Sequence, residues 1–363
     1  MGDGMRVVGI RQKLVREAAS CEFVPWGELD GKTVAVTGGT GLIGGFLVDV
    51  LLERAYSFGG DIAVVLLARD PQRAFDRFRS ERCSAVQWDA SSPMVPPVDA
   101  DYVIHLACDT SSDWFLRCPV ETISTVVDGA KSMLEYARST GARICLASTM
   151  EVYASGGPSP LAEDAGGALD AMNPRNSYPE AKQLSEALTA AYAFEYGVHA
   201  CVARLCQTFG VGVRRDDGRV FAEFARRCLA GEDIVLLTPG EKRNMYLSVQ
   251  DAALALILLT LKGEAGLAYN VANESTFCSV REMAEAAARR FGGGRTGVRV
   301  EVDPEAARRF RAPGSINQDT SRLRALGWVP TGDLMDIYGQ MIAGWREGRV
   351  MSRHQKQNEM GSL

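Results

Sequence analysis

A strand-like run, Thr33–Thr37, leads without a spacer into Thr37-Gly38-Gly39-Thr40-Gly41-Leu42-Ile43-Gly44, and a helical pattern, Phe46–Arg54, opens just behind it. Glycines at 38, 41 and 44 on a strand-to-helix joint leave few folds open. Gly38 permits a tight turn, Gly41 lets the backbone approach a pyrophosphate, and Gly44 lets helix and strand pack closely. The helix N-terminus then offers unpaired N–H groups and the positive end of its dipole to an anion. The joint reads as a dinucleotide site.

The rest of the chain agrees with a sheet built around that joint. Ile62–Ala68, Ala85–Trp88, Tyr102–Leu106, Arg143–Ala147 and Ala200–Leu205 read as further strands, and Val120–Ser139 and Ser177–Tyr196 as helices between them. Apolar strands alternating with helices make a parallel sheet covered on both faces. The fold class is therefore α/β, a Rossmann-type doubly wound parallel sheet with a smaller C-terminal substrate-binding lobe. Beyond Leu205 the alternation loosens. Helical patterns stand at Val220–Ala230 and Val280–Phe291, and Tyr269-Asn270-Val271 reads as one more strand. The expected organisation is an N-terminal extension over 1–30, with a short helix at Leu14–Ala19 and Trp26 as its pin. A dinucleotide-binding domain follows over 31–205 plus about 243–275. The lobe takes 206–242 and 276–350, and a polar, frayed tail takes 351–363.

Composition excludes several classes. A net charge of −5 offers no attraction to nucleic acid. Three histidines make a His-based metal site an unfavourable reading, and the nine scattered cysteines, with no C-x-x-C, read as reduced thiols of a cytoplasmic protein. Residues 1–30 lack the apolar core of a signal peptide. The longest apolar run, Ala252–Leu261, is too short for a bilayer and follows Asp251, which reads as a helix N-cap. No membrane partner is expected.

Tyr178-Pro179-Glu180-Ala181-Lys182 adds chemistry. On a helix Tyr178 and Lys182 share a face. A free tyrosine titrates near pH ~10, and a nearby ammonium favours the phenolate. Tyr178 can then take a proton from a hydroxyl while hydride leaves for a nicotinamide, whose ribose Lys182 can hold.

A T-G-x-x-G-x-x-G run followed far downstream by Tyr-x-x-x-Lys resembles the extended short-chain dehydrogenase/reductases, the NAD-dependent sugar-nucleotide epimerases and dehydratases. The resemblance covers about Gly31 to Pro330. It implies a tightly bound NAD or NADP, a nucleotide-sugar substrate, and a homodimer through Val120–Ser139 and Ser177–Tyr196. Thr40, Leu42 and Ile43 join the glycines as cofactor contacts, and Ile104-His105-Leu106-Ala107 resembles the segment beside the cofactor, with Ala107 in contact and His105 a packed structural residue. At the end of strand two, Arg69 suits the extra phosphate of NADP; it equally suits stacking on adenine, with Asp70 capping the next helix. Asp89 matches the acid that meets the adenine amino group.

Ser148-Thr149-Met150-Glu151-Val152-Tyr153 resembles the family's S-[ST]-x-x-V-Y segment. Thr149 is then the hydroxyl that completes the triad and touches substrate. Glu151, if the strand stays extended, faces the sugar as a base for C5. An acid there favours a nucleotide-sugar 4,6-dehydratase, ahead of a 4-epimerase and a uronate decarboxylase. Met150 departs from the Asp-Glu pair of some dehydratases and cannot protonate a leaving hydroxyl. Gln207 replaces the usual Asn of R-x-x-N-x-Y-G-P, and Arg243 matches the arginine that grips the nucleotide diphosphate. An NADPH-dependent ketone reductase and a non-catalytic dinucleotide sensor are the remaining readings. The first lacks use for Arg243, and the second commonly loses the Tyr/Lys pair kept here.

Overall fold

A computed structural model of the protein describes residues 9–109, 112–154, 156, 160–303 and 314–360, with backbone alone at 112–113 and 349–360. The first eight residues of the extension and the last three of the tail lie outside it.

Seven parallel strands form the central sheet in the order β10-β6-β5-β4-β1-β2-β3. They are β1 (Lys32–Thr37), β2 (Ile62–Ala68), β3 (Cys83–Gln87), β4 (Tyr102–His105), β5 (Arg143–Thr149), β6 (Ala200–Leu205) and β10 (Ala268–Val271). Alternate residues explain why both faces are covered. Val34 and Val36 join the core under α2 (Leu42–Ser57) and α8 (Val249–Lys262). Ala35 and Val103 join the core under α5 (Pro119–Thr140) and α6 (Ser177–Tyr196). Strand order reverses between β1 and β4, so their C-terminal ends open the crevice where such sheets take ligands.

In the described part of the extension the helix starts four residues earlier than the expected Leu14–Ala19. In α1 (Ile10–Ala19), Leu14, Val15, Ala18 and Ala19 are buried, and Arg54 of α2 lies 5.2 Å over the Trp26 ring. The backbone N–H of Ile10 also reaches the Glu347 carboxylate at 2.9 and 3.1 Å, tying α1 to α11 (Leu334–Met360). That helix runs through residues read as a frayed tail.

A second core, with Phe209, Phe221, Tyr246, Met283, Tyr338 and Trp345, lies in the C-terminal half. Its framework is α7 (Val220–Ala230), α9 (Val280–Phe291), α11 and a small sheet in the order β11-β9-β7. Here β7 is Gln207–Phe209, β9 Arg243–Ser248 and β11 Asn273–Ser279. Of residues 243–275, α8 and β10 therefore go with the large sheet and β9 with the small one. One cap was misassigned: α8 starts at Val249, capped by the Ser248 hydroxyl on the N–H of Asp251, and Asp251 lies in its first turn. Ser248 is buried, so its capping role is hidden behind an apolar strand. No helix among the described residues is long and apolar enough to cross a membrane, and none of their His, Cys, Asp and Glu side chains cluster as metal ligands.

Candidate active site

The glycine joint is built by backbone meeting backbone. Gly38 has φ +67°, and a Cβ there would lie 2.9 Å from the carbonyl carbon of Leu106 and 3.0 Å from the N–H of Ala107, at the end of β4. A Cβ on Gly44 would lie 2.3 Å from the Gly38 carbonyl oxygen, and one on Gly41 3.2 Å from the same atom. Thr37 locks the neighbouring strand: its hydroxyl accepts from the N–H groups of Leu106 and Ala107, each at 2.9 Å, and lies 3.0 Å from Nδ1 of His105. With two donors already on that oxygen, its own proton goes to Nδ1, which leaves the imidazole proton on Nε2. Burial pushes the His105 pKa down to about 3, so the ring is neutral and structural.

The joint also passes a test for an anionic dinucleotide. The N-cap of α2 is Gly41, with no side-chain cap and no acid in the first turn. α3 (Pro71–Phe78), α8 and α9 are capped by side chains, from Asp70, Ser248 and Ser279, whereas α1, α5, α6 and α7, like α2, are not, and of those only α1 and α2 also lack an acid in the first turn. The leading N–H groups of α2, from Leu42 onward, are thus left for a ligand. Asp70 serves as the α3 cap, accepting from the N–H of Arg73 at 3.0 Å. Arg69 is exposed at the end of β2 and near enough to Asp89 to lower its pKa, although the first cause of that shift is the N–H of Ser91.

The second cluster lies at the end of β5. Thr149, Tyr178 and Lys182 are 8%, 7% and 6% exposed. Lys182 donates from Nζ to the Ala147 carbonyl at 2.6 Å and stands 5.9 Å from the centre of the Tyr178 ring. Burial outweighs the lowering of the tyrosine pKa expected from this ammonium. Burial raises it well above 10, the negative charge available to Cys108 and Glu151 adds to that, and only a hydrogen bond with Thr149 opposes it. Burial likewise lowers the Lys182 pKa. Phe115, in α4 (Ser112–Arg117), stacks on Tyr178 with ring centres 4.4 Å apart and planes 5° from parallel.

The strand does not stay extended to Glu151. β5 stops at Thr149, whose hydroxyl accepts from the Glu151 N–H at 3.3 Å, and Met150–Tyr153 form a 3-10 turn. The turn still brings Glu151 into electrostatic range of Tyr178. It sends Met150, 4% exposed, into the main core.

A buried polar network braces this turn, and of its members the motifs read above named only Ser148 and Tyr153. Arg204 of β6 grips Glu186 of α6 through Nη2 at 2.7 Å and donates to the Tyr153 hydroxyl at 2.8 Å. Ser148 donates to Glu186 at 2.5 Å. Tyr153 donates to Asn270 at 2.7 Å, and Gln318 donates to the Arg204 carbonyl at 2.8 Å. Glu186 lies one turn beyond Lys182, and that spacing is the only sequence signal that pointed to it.

Gln207 and Arg243 are not neighbours. Gln207 pairs in register with Tyr246, three residues along β9 from Arg243, or roughly 10 Å. Arg243 is paired with Glu282 at 3.0 Å and lies 4.8 Å over the Phe277 ring. Glu282 also closes the capping box of α9.

Known proteins are similar to this chain in sequence and fold. The model of the NAD dependent epimerase/dehydratase family matches residues 34–272. The chain is 29% identical over 326 residues to UDP-glucuronic acid decarboxylase 2 of Arabidopsis thaliana, covering 87% of this chain and 69% of the relative. It is 32% identical over 256 residues to UDP-glucuronic acid decarboxylase 6 of the same plant, covering 69% of this chain and 72% of the relative. Among solved structures, a dTDP-glucose 4,6-dehydratase from Streptomyces venezuelae with NAD bound superposes with a TM-score of 0.72 at 22% identity, covering 88% of this chain and 98% of that one. A UDP-glucose 4-epimerase from Thermotoga maritima gives 0.72 at 21%, covering 87% and 99%. With its glycine joint, its Tyr/Lys pair and a match over most of its length, the chain belongs to the NAD dependent epimerase/dehydratase family.

Proposed function

We propose that the protein binds NAD or NADP tightly and acts on a nucleotide sugar through a 4-keto intermediate, and that its overall reaction is decarboxylation of a nucleotide-linked uronic acid. The observation that carries the choice is Met150. Dehydration, placed first from the sequence because of Glu151, needs an acid at the departing C6 hydroxyl, and the residue beside Glu151 is a methionine buried in the core. Loss of carbon dioxide needs no such acid. The relatives named UDP-glucuronic acid decarboxylase support the same choice.

Tyr178 takes the O4 proton as a phenolate, which the positive charge of an oxidised nicotinamide would favour against burial, while the Thr149 hydroxyl holds O4. A bound nicotinamide supplies acceptance of hydride from C4 and its later return. The C4 ketone lies β to the C6 carboxylate, so the C5–C6 bond breaks and its electron pair moves into the carbonyl as carbon dioxide leaves. Glu151 passes a proton taken from solvent to C5, which restores the C4 ketone, and Tyr178 gives O4 its proton back. Lys182 orients the nicotinamide ribose, and Gly38, Gly41, Leu42, Ile43 and Gly44 hold the pyrophosphate. Arg243 exchanges Glu282 for the substrate diphosphate. A homodimer across α5 and α6, which leave Val120, Ile123 and Leu184 exposed, is part of the reading.

Mass spectrometry after incubation with UDP-glucuronic acid, dTDP-glucose and UDP-glucose tests it. Loss of carbon dioxide from the uronic acid is the expected result. Loss of water from a hexose would restore dehydration, and an isobaric product would make the protein an epimerase. Tyr178→Phe should keep its cofactor and lose turnover by about 10²–10⁴-fold. Glu151→Gln tests the C5 step: it should slow protonation of the C4–C5 enolate left by carbon dioxide and lower turnover by about 10²–10⁴-fold, read by mass spectrometry of the product.

A further inference from the structure

Tyr178 has a partner that neither the sequence motif nor the proposed chemistry uses. Phe115 lies flat on it, 4.4 Å between ring centres and 5° from parallel. Phe115 is itself only 9% exposed, and with Val126 and Ala181 it forms a small apolar cluster around the phenol, flanked by Trp114 and Cys108. An offset or flat stack of this kind resists rotation of either ring and keeps water from the covered face. We propose that Phe115 is a positioning residue for Tyr178, fixing the plane of the phenol so that its hydroxyl stays on Thr149, and keeping that phenol dry until substrate arrives. The proposal rests on Tyr178 as the proton carrier.

The surroundings make the effect readable. Cys108, after β4, and Glu151, on the 3-10 turn, face Tyr178 with the capacity for negative charge, and Lys182 faces it from α6. His105 of β4 faces Lys182 and is neutral. From α4 and α5 come Phe115, Trp114 and Val126, none of them charged. Burial is the first cause of the raised Tyr178 pKa. Opening the Phe115 side therefore makes the phenol easier to ionise while loosening its aim. A purely structural residue would not produce those two effects together.

The ionisation of Tyr178 can be isolated by ultraviolet difference titration, subtracting the Tyr178→Phe protein from its parent, with and without Phe115→Ala. In the Phe115→Ala background the Tyr178 transition should move to lower pH by about one unit or more. Turnover should fall by about tenfold with little change in KM. Phe115→Tyr should restore both, and Phe115→Leu, which keeps apolar bulk without a flat ring, should leave the titration near wild type and still slow turnover. An unmoved titration in Phe115→Ala, or unchanged kcat in both Phe115→Ala and Phe115→Leu, would overturn the proposal. Should Phe115→Ala fail to fold, the leucine and tyrosine variants carry the same decision. The titration needs no sugar nucleotide, so absence of turnover on every substrate would count against the functional reading and leave this measurement intact.

Discussion

Two regions that meet at the crevice are held in different ways. Around the glycine joint, backbone packs on backbone: Gly38 against Leu106 and Ala107, Gly44 against Gly38. Around the end of β5, side chains from distant segments pack on one another: Ser148, Tyr153, Glu186, Arg204, Asn270 and Gln318. The first arrangement admits almost no added atom but loses little when a side chain changes elsewhere. The second has room for atoms but depends on charge balance among buried groups. The two regions should therefore break under different substitutions.

The largest effect is expected at Arg204. Its side chain and that of Glu186 are 13% and 12% exposed. Arg204→Met leaves the Glu186 carboxylate nearly buried without its cation, at a cost of about 3–5 kcal/mol. Thermal or urea unfolding measures it, and Arg204→Met with Glu186→Gln should recover a substantial part. A single-variant loss below about 1 kcal/mol would mean that solvent already screens the pair, and the contrast between the regions would then fail on this side.

The joint offers a paired test. A Cβ at Gly44 meets the Gly38 carbonyl oxygen at 2.3 Å, which cannot move without moving the loop. A Cβ at Gly45 meets Nη2 of Arg77 at 2.2 Å, the far end of a flexible side chain. Gly44→Ala should cost about 1–3 kcal/mol and most of the dinucleotide affinity, whereas Gly45→Ala should cost under about 0.5 kcal/mol. Calorimetric titration with NAD and NADP checks both. Equal losses at the two positions would show that crowding alone, rather than crowding against backbone, sets the tolerance of the loop.

The same contrast explains what could be read from the sequence. The strands of the large sheet announced themselves because most are buried on two faces, the edge strand β3, with Ser84 and Gln87 exposed, being the exception; the glycine joint announced itself because its constraints are local. The three-stranded sheet did not. Its strands β7 and β9 lie 33 residues apart from end to start, and no local pattern shows that Gln207 pairs with Tyr246, roughly 10 Å along β9 from Arg243. The chain direction after Thr149 was also illegible, since a 3-10 turn and a strand end share the residues Met-Glu-Val-Tyr. Phe115 stood in an unremarkable stretch, and nothing along the chain marks a ring that finds its partner in α6, beyond the whole of α5.

The smallest expected effect lies outside both regions, at the start of α8. Asp251 is fully buried at the start of α8, where its Oδ1 accepts from the N–H and hydroxyl of Thr331 at 2.9 and 2.8 Å while Oδ2 has no partner. Burial pushes its pKa up to about 6, against about 3.9 in an unfolded chain. Between those values the folded state holds the proton and the unfolded state has released it, so stability falls as pH rises from about 4 to about 6 and is flat above. Asp251→Asn carries no titrating proton and keeps a carbonyl oxygen for Thr331. Its own profile should lack this slope, leaving the variant more stable than the wild type above pH ~6 by about 1 kcal/mol, once its weaker hydrogen bonds are discounted. Urea unfolding at a series of pH values measures the difference. If the two proteins keep parallel profiles from pH ~4 to ~7, Asp251 titrates as an ordinary carboxyl and water reaches the start of α8. The dry packing described for the two regions would then not extend to this helix.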